Sequence, residues 1–239
     1  METDVALVTG ANKGIGKEIA RQLAERGLTV LLGARDEGRG KAAAAELAGA
    51  GDVRYLPLDV ADDASVRAAA AAVEAAHGRL DVLVNNAGIS IGRAPAGEVA
   101  VERMRELYGV NVFGVVAVTN AMLPLLRRSA APRVVNVSSE LGSMALMAAK
   151  DNRPEFPYLL AYNSSKAALN AMTLVYARQL ADDGIIVNAV SPPYTATDLN
   201  RHQGTATPAD GARIAVRMAT DPAGRTGTFL AADGTPLPW

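Results

Sequence analysis

Seven short runs rich in β-branched and aliphatic residues recur along the chain: Val5 to Thr9, Thr29 to Gly33, Val53 to Leu56, Val82 to Asn85, Arg133 to Ser138, Ile185 to Val190 and the stretch around Thr228 to Leu230. Longer helix-like stretches, several of them Ala-rich, separate them. This repeated alternation of a strand period with a helix period is the strongest constraint in the sequence, because each strand must cross over a helix to reach a parallel neighbour, and that crossover is right-handed. Near-continuous apolar runs such as "DVLV" and "VVNV" suit strands covered on both faces. The expected fold class is α/β, a doubly wound, seven-stranded parallel sheet flanked by helices on both faces. No internal repeat or linker interrupts residues 1–239, which read as a single domain. The Ala-rich segments Lys41 to Ala50 and Val66 to Ala76 space their Val, Leu and Glu as ordinary helices do.

Composition narrows the partners. A chain of 239 residues that is 49% hydrophobic can bury one large core, and a net charge of -1 gives no cationic excess for nucleic acid. Cysteine is absent, which excludes disulfides and thiolate metal sites, and His77 and His202 lack metal-ligand spacing, so no metal is expected. An apolar strand begins at Val5, leaving no room for a signal peptide, and no apolar run is read as approaching the roughly 20 residues of a membrane span. The expectation is a cytoplasmic protein without membrane partners.

Two stretches carry chemistry. The first strand ends in "TGANKGIG", Thr9 to Gly16, just before a helix. A glycine-rich turn there lets backbone N–H groups and the positive helix end approach a pyrophosphate. The glycines fall at 10, 14 and 16, which is not the GxGxxG spacing, and a plain strand-to-helix turn is the alternative. Further on, "AYNSSK" places Tyr162 four positions before Lys166, on one helical face, where an ammonium favours the phenolate and draws the phenol's pKa of about 10 downward. The alternative is a solvated surface pair.

"TGANKGIG", "LDVLVNNAG" at Leu80 to Gly88, Asn111 in "GVNVFG", "VVNVSS" ending at Ser139, and the Tyr162/Lys166 pair resemble, in order and separation, the short-chain dehydrogenase/reductase family. "NKGIG", "ARDEGRG" and "GTFLAADGTPLPW" look most like its NADPH-dependent carbonyl reductase branch. The resemblance implies a Rossmann-type sheet and hydride transfer from NADPH to the carbonyl of a ketone or aldehyde. It matches Tyr162 to the general acid, Lys166 to the residue that tunes it and holds the nicotinamide ribose, Ser139 to the hydroxyl on the substrate oxygen, and Asn111 to the anchor of a water beside Lys166. Ser138 reads as structural. For the cofactor, it implies Gly10, Asn12, Lys13, Gly14, Ile15 and Gly16 at the phosphates, Asp59 and Val60 at the adenine, and Asn86, Ala87 and Gly88 beneath the ribose. Pro192, Thr195 and Thr197 fall beside the nicotinamide, while Asn85 and Asp81 brace the sheet. Ala34 stands where NAD-selecting members carry an acid and Arg35 follows it, so Lys13 and Arg35 are expected to favour NADP+ and NADPH through a 2'-phosphate. Asp36 is expected to cap the next helix.

The family's Pro-Gly after the sixth strand is "SPPYTATD" here, and Pro193 excludes positive φ. Residues 140–161 and 194–208 read as substrate-side loops. Leu141, Met144, Met147, Phe156, Leu159 and Tyr194 would wall an apolar pocket or else pack the insertion onto the body, and Phe156, Tyr158, Leu159 and Leu160 are expected to turn inward. A non-catalytic NADP-binding regulator, and the same chemistry on an imine or in the alcohol-oxidising direction, are the alternatives. A homo-oligomer, paired as family members are through helices around Glu102 to Arg128 and Ala161 to Asp182, is the expected assembly.

Overall fold

Every predicted strand forms. The computed structural model describes residues 3–149 and 157–239. Strands β1 (Val5–Thr9), β2 (Thr29–Ala34), β3 (Val53–Pro57), β4 (Val82–Asn85), β5 (Arg133–Val137), β6 (Ile186–Val190) and β7 (Phe229–Leu230) make one sheet in the order β3-β2-β1-β4-β5-β6-β7, parallel throughout. The order reverses between β1 and β4, and the crevice beyond the carboxyl ends of those strands is where doubly wound sheets take ligands.

The helices are α1 (Gly14–Ala24), α2 (Glu37–Glu46), α3 (Asp63–His77), α4 (Val101–Tyr108), α5 (Gly114–Leu126), α6 (Met144–Ala148), α7 (Leu160–Gln179) and α8 (Pro208–Thr220). Because successive strand residues point to opposite faces, Ala6 and Val8 enter one core with Ile19 of α1, Ala43 of α2 and Ile214 of α8. Val5 and Leu7 enter a second core with Val66 of α3, Met122 of α5 and Ala177 of α7. Polar residues tie the second layer to the sheet. Asn85 Nδ2 donates to Thr119 Oγ1 at 3.1 Å and Asn136 Oδ1 at 2.9 Å, and Asn136 Nδ2 donates to Thr173 Oγ1 at 2.9 Å. Asp81 accepts from the Val5 N–H and from Ser129, so both Asn85 and Asp81 brace the sheet as expected.

One expectation about apolar runs is corrected. Helices α4 and α5 are continuous through a π turn, Gly109–Phe113, and the stretch Val101–Leu126 is long and apolar enough to cross a membrane by length and hydropathy. Half of its most apolar window is buried inside this fold, where it supplies the second core.

Two further differences lie before α7. Tyr158 and Leu160 are 65% and 44% exposed rather than turned inward. Leu159 is extended, with φ -110° and ψ 96°, so its neighbours point away from the side it faces. Residues 150–156 of the first expected substrate-side loop, and with them Phe156, lie outside the described residues.

Candidate active site

The glycine-rich turn is built to bring backbone against backbone. Gly10 and Gly14 have φ of +62° and +57°, the left-handed region that favours glycine. A Cβ on Gly16 would fall 2.3 Å from Asn86 Nδ2 and 2.6 Å from the Gly10 carbonyl oxygen, so only glycine fits. Thr9 organises the joint: its Oγ1 accepts from the N–H groups of Asn86 at 3.0 Å and Ala87 at 2.9 Å, while Asn86 Nδ2 donates to the carbonyls of Thr9 and Gly10. Lys13 precedes α1 without a side-chain cap, which leaves the first N–H groups of the helix for a ligand. An open turn at a helix N-terminus, at the switch point of the sheet, fits a pyrophosphate. Ile15 and Asn12 belong to this turn and are part-buried.

Ser139, Tyr162, Lys166 and Asn111 converge at the ends of β5 and α7 and the π turn. Tyr162 and Lys166 lie one turn apart on α7, and Ser139, just past β5, is near enough to the phenol to favour its ionised form. The Lys166 ammonium donates to the Val137 carbonyl at 2.8 Å and stands 5.8 Å from the centroid of the Tyr162 ring. Asn111 is 1% exposed; its Oδ1 accepts from the Ile89 N–H at 2.9 Å, and its Nδ2 donates to the Ile89 carbonyl at 3.0 Å and to Ser165 Oγ at 3.2 Å. Ser165 in turn donates to the Tyr162 carbonyl at 2.8 Å. The π turn, a motif frequent at functional sites, thus places Asn111 between the loop after β4 and the tyrosine-bearing turn. Ser138 points elsewhere and donates to Asn170 Oδ1, the structural role expected of it.

The electrostatics differ from the reading of a simple pair. Burial pushes the Tyr162 phenol up to about 12, opposed only in part by Ser139, and pushes Lys166 down to about 8. Lys166 therefore does not draw the phenol downward here, because desolvation of both groups outweighs their attraction. The phenol stays protonated through neutral pH, as a proton donor must.

The Lys166 shift has a thermodynamic consequence. Its folded pKa of about 8 lies below its unfolded value of about 10.4, so the unfolded chain binds the proton more tightly between those limits. Stability should rise with pH across that window until Tyr162, whose folded pKa is raised, begins to oppose it above about pH 10. Lys166→Met should flatten the rise, worth about 3 kcal/mol, and a series of denaturant titrations from neutral pH to pH 10 checks it. An unchanged slope in the variant would refute the assignment.

Gly142 is a supporting residue that motif reading missed. A Cβ there would fall 2.5 Å from the Lys166 carbonyl carbon and 2.7 Å from its Cβ, so this glycine lets the turn after Ser139 press onto α7 at the lysine. Gly142→Ala should cost about 1 to 3 kcal/mol by overpacking and lower activity beyond that loss, read by melting temperature and turnover together. A variant as stable and active as the parent would show that the contact yields freely.

The other residues expected at the cofactor lie on several elements. Arg35 is exposed just past β2 and has no ion pair among the described residues. Asp36 caps α2 as expected, accepting from the Arg39 N–H at 2.8 Å and pairing with its guanidinium at 3.1 Å. Asp59 turns its carboxylate to the Ala61 N–H, and Val60 is buried against Gly114. Gly88 leaves room beside Asn111 Oδ1 and Lys166 Nζ, which a Cβ on it would approach to 3.5 and 3.8 Å. After Pro192, the Thr195 hydroxyl donates to the Pro193 carbonyl at 2.8 Å and the residue is 4% exposed, so it fixes the flap from inside. Thr197 seats the flap on the turn: a Cβ on Gly14 would lie 3.4 Å from its Cγ2.

Tyr162 lines a cavity of about 160 Å³ with Ile91, Ala94, Val99, Ala100, Leu159 and Leu160, and with Glu98 and Arg103. A neighbouring hollow of about 240 Å³ shares Ala94 and Leu159. Most of this wall comes from "ISIGRAPAGEVA", residues 89–100, which sequence reading passed over. Its only signal was a Gly-, Pro- and Ala-containing stretch without period directly after "NNAG". Of the six residues expected to form the wall, Leu159 alone lines these cavities; Leu141, Met144, Met147 and Tyr194 do not, and Phe156 is outside the described residues.

A comparison with protein families matches residues 4–207 to short chain dehydrogenase. The chain belongs to the short-chain dehydrogenase family. It is 37% identical to Short-chain dehydrogenase/reductase 1 of Saponaria officinalis, over 92% of this chain and 90% of that one. It is 33% identical to (-)-isopiperitenone reductase of Mentha piperita, over 95% and 96%. Among solved structures, NADPH bound carbonyl reductase from chicken fatty liver superposes with a TM-score of 0.88 at 26% identity over the whole of both chains. As a short-chain dehydrogenase, the protein is an oxidoreductase of the hydride-transferring type, on the Rossmann-type sheet expected of the family.

Proposed function

We propose that this short-chain dehydrogenase is an NADPH-dependent carbonyl reductase acting on small, largely apolar ketones or aldehydes. The observation that carries the reading is the Ser139–Tyr162–Lys166 cluster, with its phenol held protonated up to about pH 12, beside a cavity that Tyr162 lines together with aliphatic residues and with Glu98 and Arg103. NADPH, when bound, supplies the hydride for the carbonyl carbon. The Tyr162 hydroxyl donates its proton to the carbonyl oxygen as negative charge builds there, and the Ser139 hydroxyl donates a second hydrogen bond that holds the oxygen in place. Lys166 offsets the phenolate left behind, and Asn111 holds the turn carrying the tyrosine through Ser165. The glycine-rich turn, Asp59, Val60, Asn86, Ala87 and Gly88 would hold the dinucleotide, with Arg35 selecting the 2'-phosphate. Reduction starts from the protonated phenol and alcohol oxidation from the phenolate, so by reversibility the same site serves both directions.

The reading is supported by the reductase names of the relatives and by the NADPH bound to the chicken carbonyl reductase. Loss of NADPH absorbance over a panel of ketones and aldehydes tests it: turnover of apolar carbonyls is expected. NADPH binding without turnover of any panel member would favour a non-catalytic regulator. For assembly, Val101, Phe113 and Val175 are 55%, 64% and 53% exposed on the helices through which relatives were expected to pair, which supports a homo-oligomer; light scattering decides it.

A further inference from the structure

Lys13, one of two cations marked out for the 2'-phosphate, is already engaged. Its Nζ meets Asp198 Oδ2 at 2.5 Å, across 185 residues of sequence, and the other carboxylate oxygen meets His202 Nε2 at 2.8 Å. Asp198 opens a single 3-10 turn, Asp198–Asn200, in the flap that Thr197 seats on Gly14. That flap holds Arg201 and His202 at φ of 55° and 60°, the only non-glycine residues with positive φ among those described. Asn200 braces the turn, its Oδ1 accepting from the Thr197 N–H and its Nδ2 donating to the Thr195 carbonyl. The carboxylate is therefore held in place by a built turn, at the edge of the phosphate-binding loop.

We propose that Asp198 is a specificity-determining residue that competes with the cofactor's 2'-phosphate for Lys13, so that selection of NADPH falls mainly on Arg35. This rests on the NADP reading above. Lys13 and Asp198 are each a little over half exposed, and ion pairs of that kind are worth at most about 1 kcal/mol. The competition should accordingly be modest and measurable. Capture of the phosphate by Lys13 must break the pair and bring a dianion towards the freed carboxylate. Removing the carboxylate's charge eliminates both penalties, and neither operates for a nucleotide without the 2'-phosphate.

The test is calorimetric, with adenosine 2',5'-bisphosphate and adenosine 5'-monophosphate as probes, which report recognition of the phosphate without catalysis. Asp198→Asn should bind the bisphosphate about two- to fivefold more tightly and the monophosphate unchanged, and Asp198→Glu should behave as the parent. In a Lys13→Met background the gain should shrink to the part that comes from carboxylate–phosphate repulsion, and Lys13→Met alone should weaken bisphosphate binding by less than about twofold. A parent protein that prefers the bisphosphate but gains nothing from Asp198→Asn overturns the proposal and leaves the NADP reading standing. Equal tightening of both probes also overturns it, as a general field effect. A parent that binds both probes equally overturns the NADP reading and this proposal together. If Asp198→Asn does not fold, Lys13→Met alone decides: a loss of tenfold or more would show that Lys13 is not held back.

Discussion

Tyr162→Phe is expected to lower carbonyl reduction by about a hundred- to ten-thousandfold, the range over which a positioned proton donor acts, while folding and NADPH binding persist. The substitution leaves the rest of the site in place. The ring still lines the cavity, and the residue's carbonyl still accepts from Ser165. Lys166 keeps its Val137 partner, since that contact is to backbone. Only the hydroxyl and its interaction with Ser139 are lost. The effect should therefore appear in kcat, with the KM for NADPH nearly unchanged. Equal melting temperatures and equal NADPH titrations establish that the variant is intact. Near-parental turnover by such a protein would remove Tyr162 from the chemistry.

The sheet was legible because burial on both faces writes itself into short apolar runs and right-handed crossovers make them a doubly wound sheet, whereas the order β3-β2-β1-β4-β5-β6-β7 is given by the structure alone. The convergence of Ser139, Tyr162 and Lys166 was legible only through the family resemblance, since spacing alone gave no more than the Tyr162/Lys166 pair; the end of β5 and the first turns of α7 carry it. What stayed hidden depends on contacts distant in sequence or on burial. "GVNVF" reads as plain helix, and its π turn comes with the bonds between Asn111 and the Ile89 backbone. The i, i+4 rule anticipated an attraction between Tyr162 and Lys166 but carried no term for desolvation, which reverses the sign of the expected shift at the phenol. Lys13 looked free because Asp198 lies far along the chain. The cavity wall at residues 89–100 has no period to read, since a loop is shaped by the strands that carry it.

Arg35→Ala is expected to weaken NADPH binding by about tenfold to a hundredfold and to leave NADH within about twofold. A charge-assisted bond to a phosphate contributes about 1.5 to 3 kcal/mol, and each 1.4 kcal/mol is a factor of ten. The structure removes the competing claims on this residue. Ala34 before it is buried and carries no carboxylate for ribose hydroxyls. Asp36 after it spends both carboxylate oxygens on Arg39, through the helix cap and the ion pair. Lys13 is paired with Asp198, so it makes good only part of the loss. Arg35→Lys should recover part of the affinity, because a point charge remains while the planar fork is gone. Fluorescence titration of each protein with NADPH and NADH gives the ratio directly. A parent enzyme that binds the two cofactors equally, or an Arg35→Ala protein that weakens both alike, would show that discrimination lies elsewhere than at the end of β2.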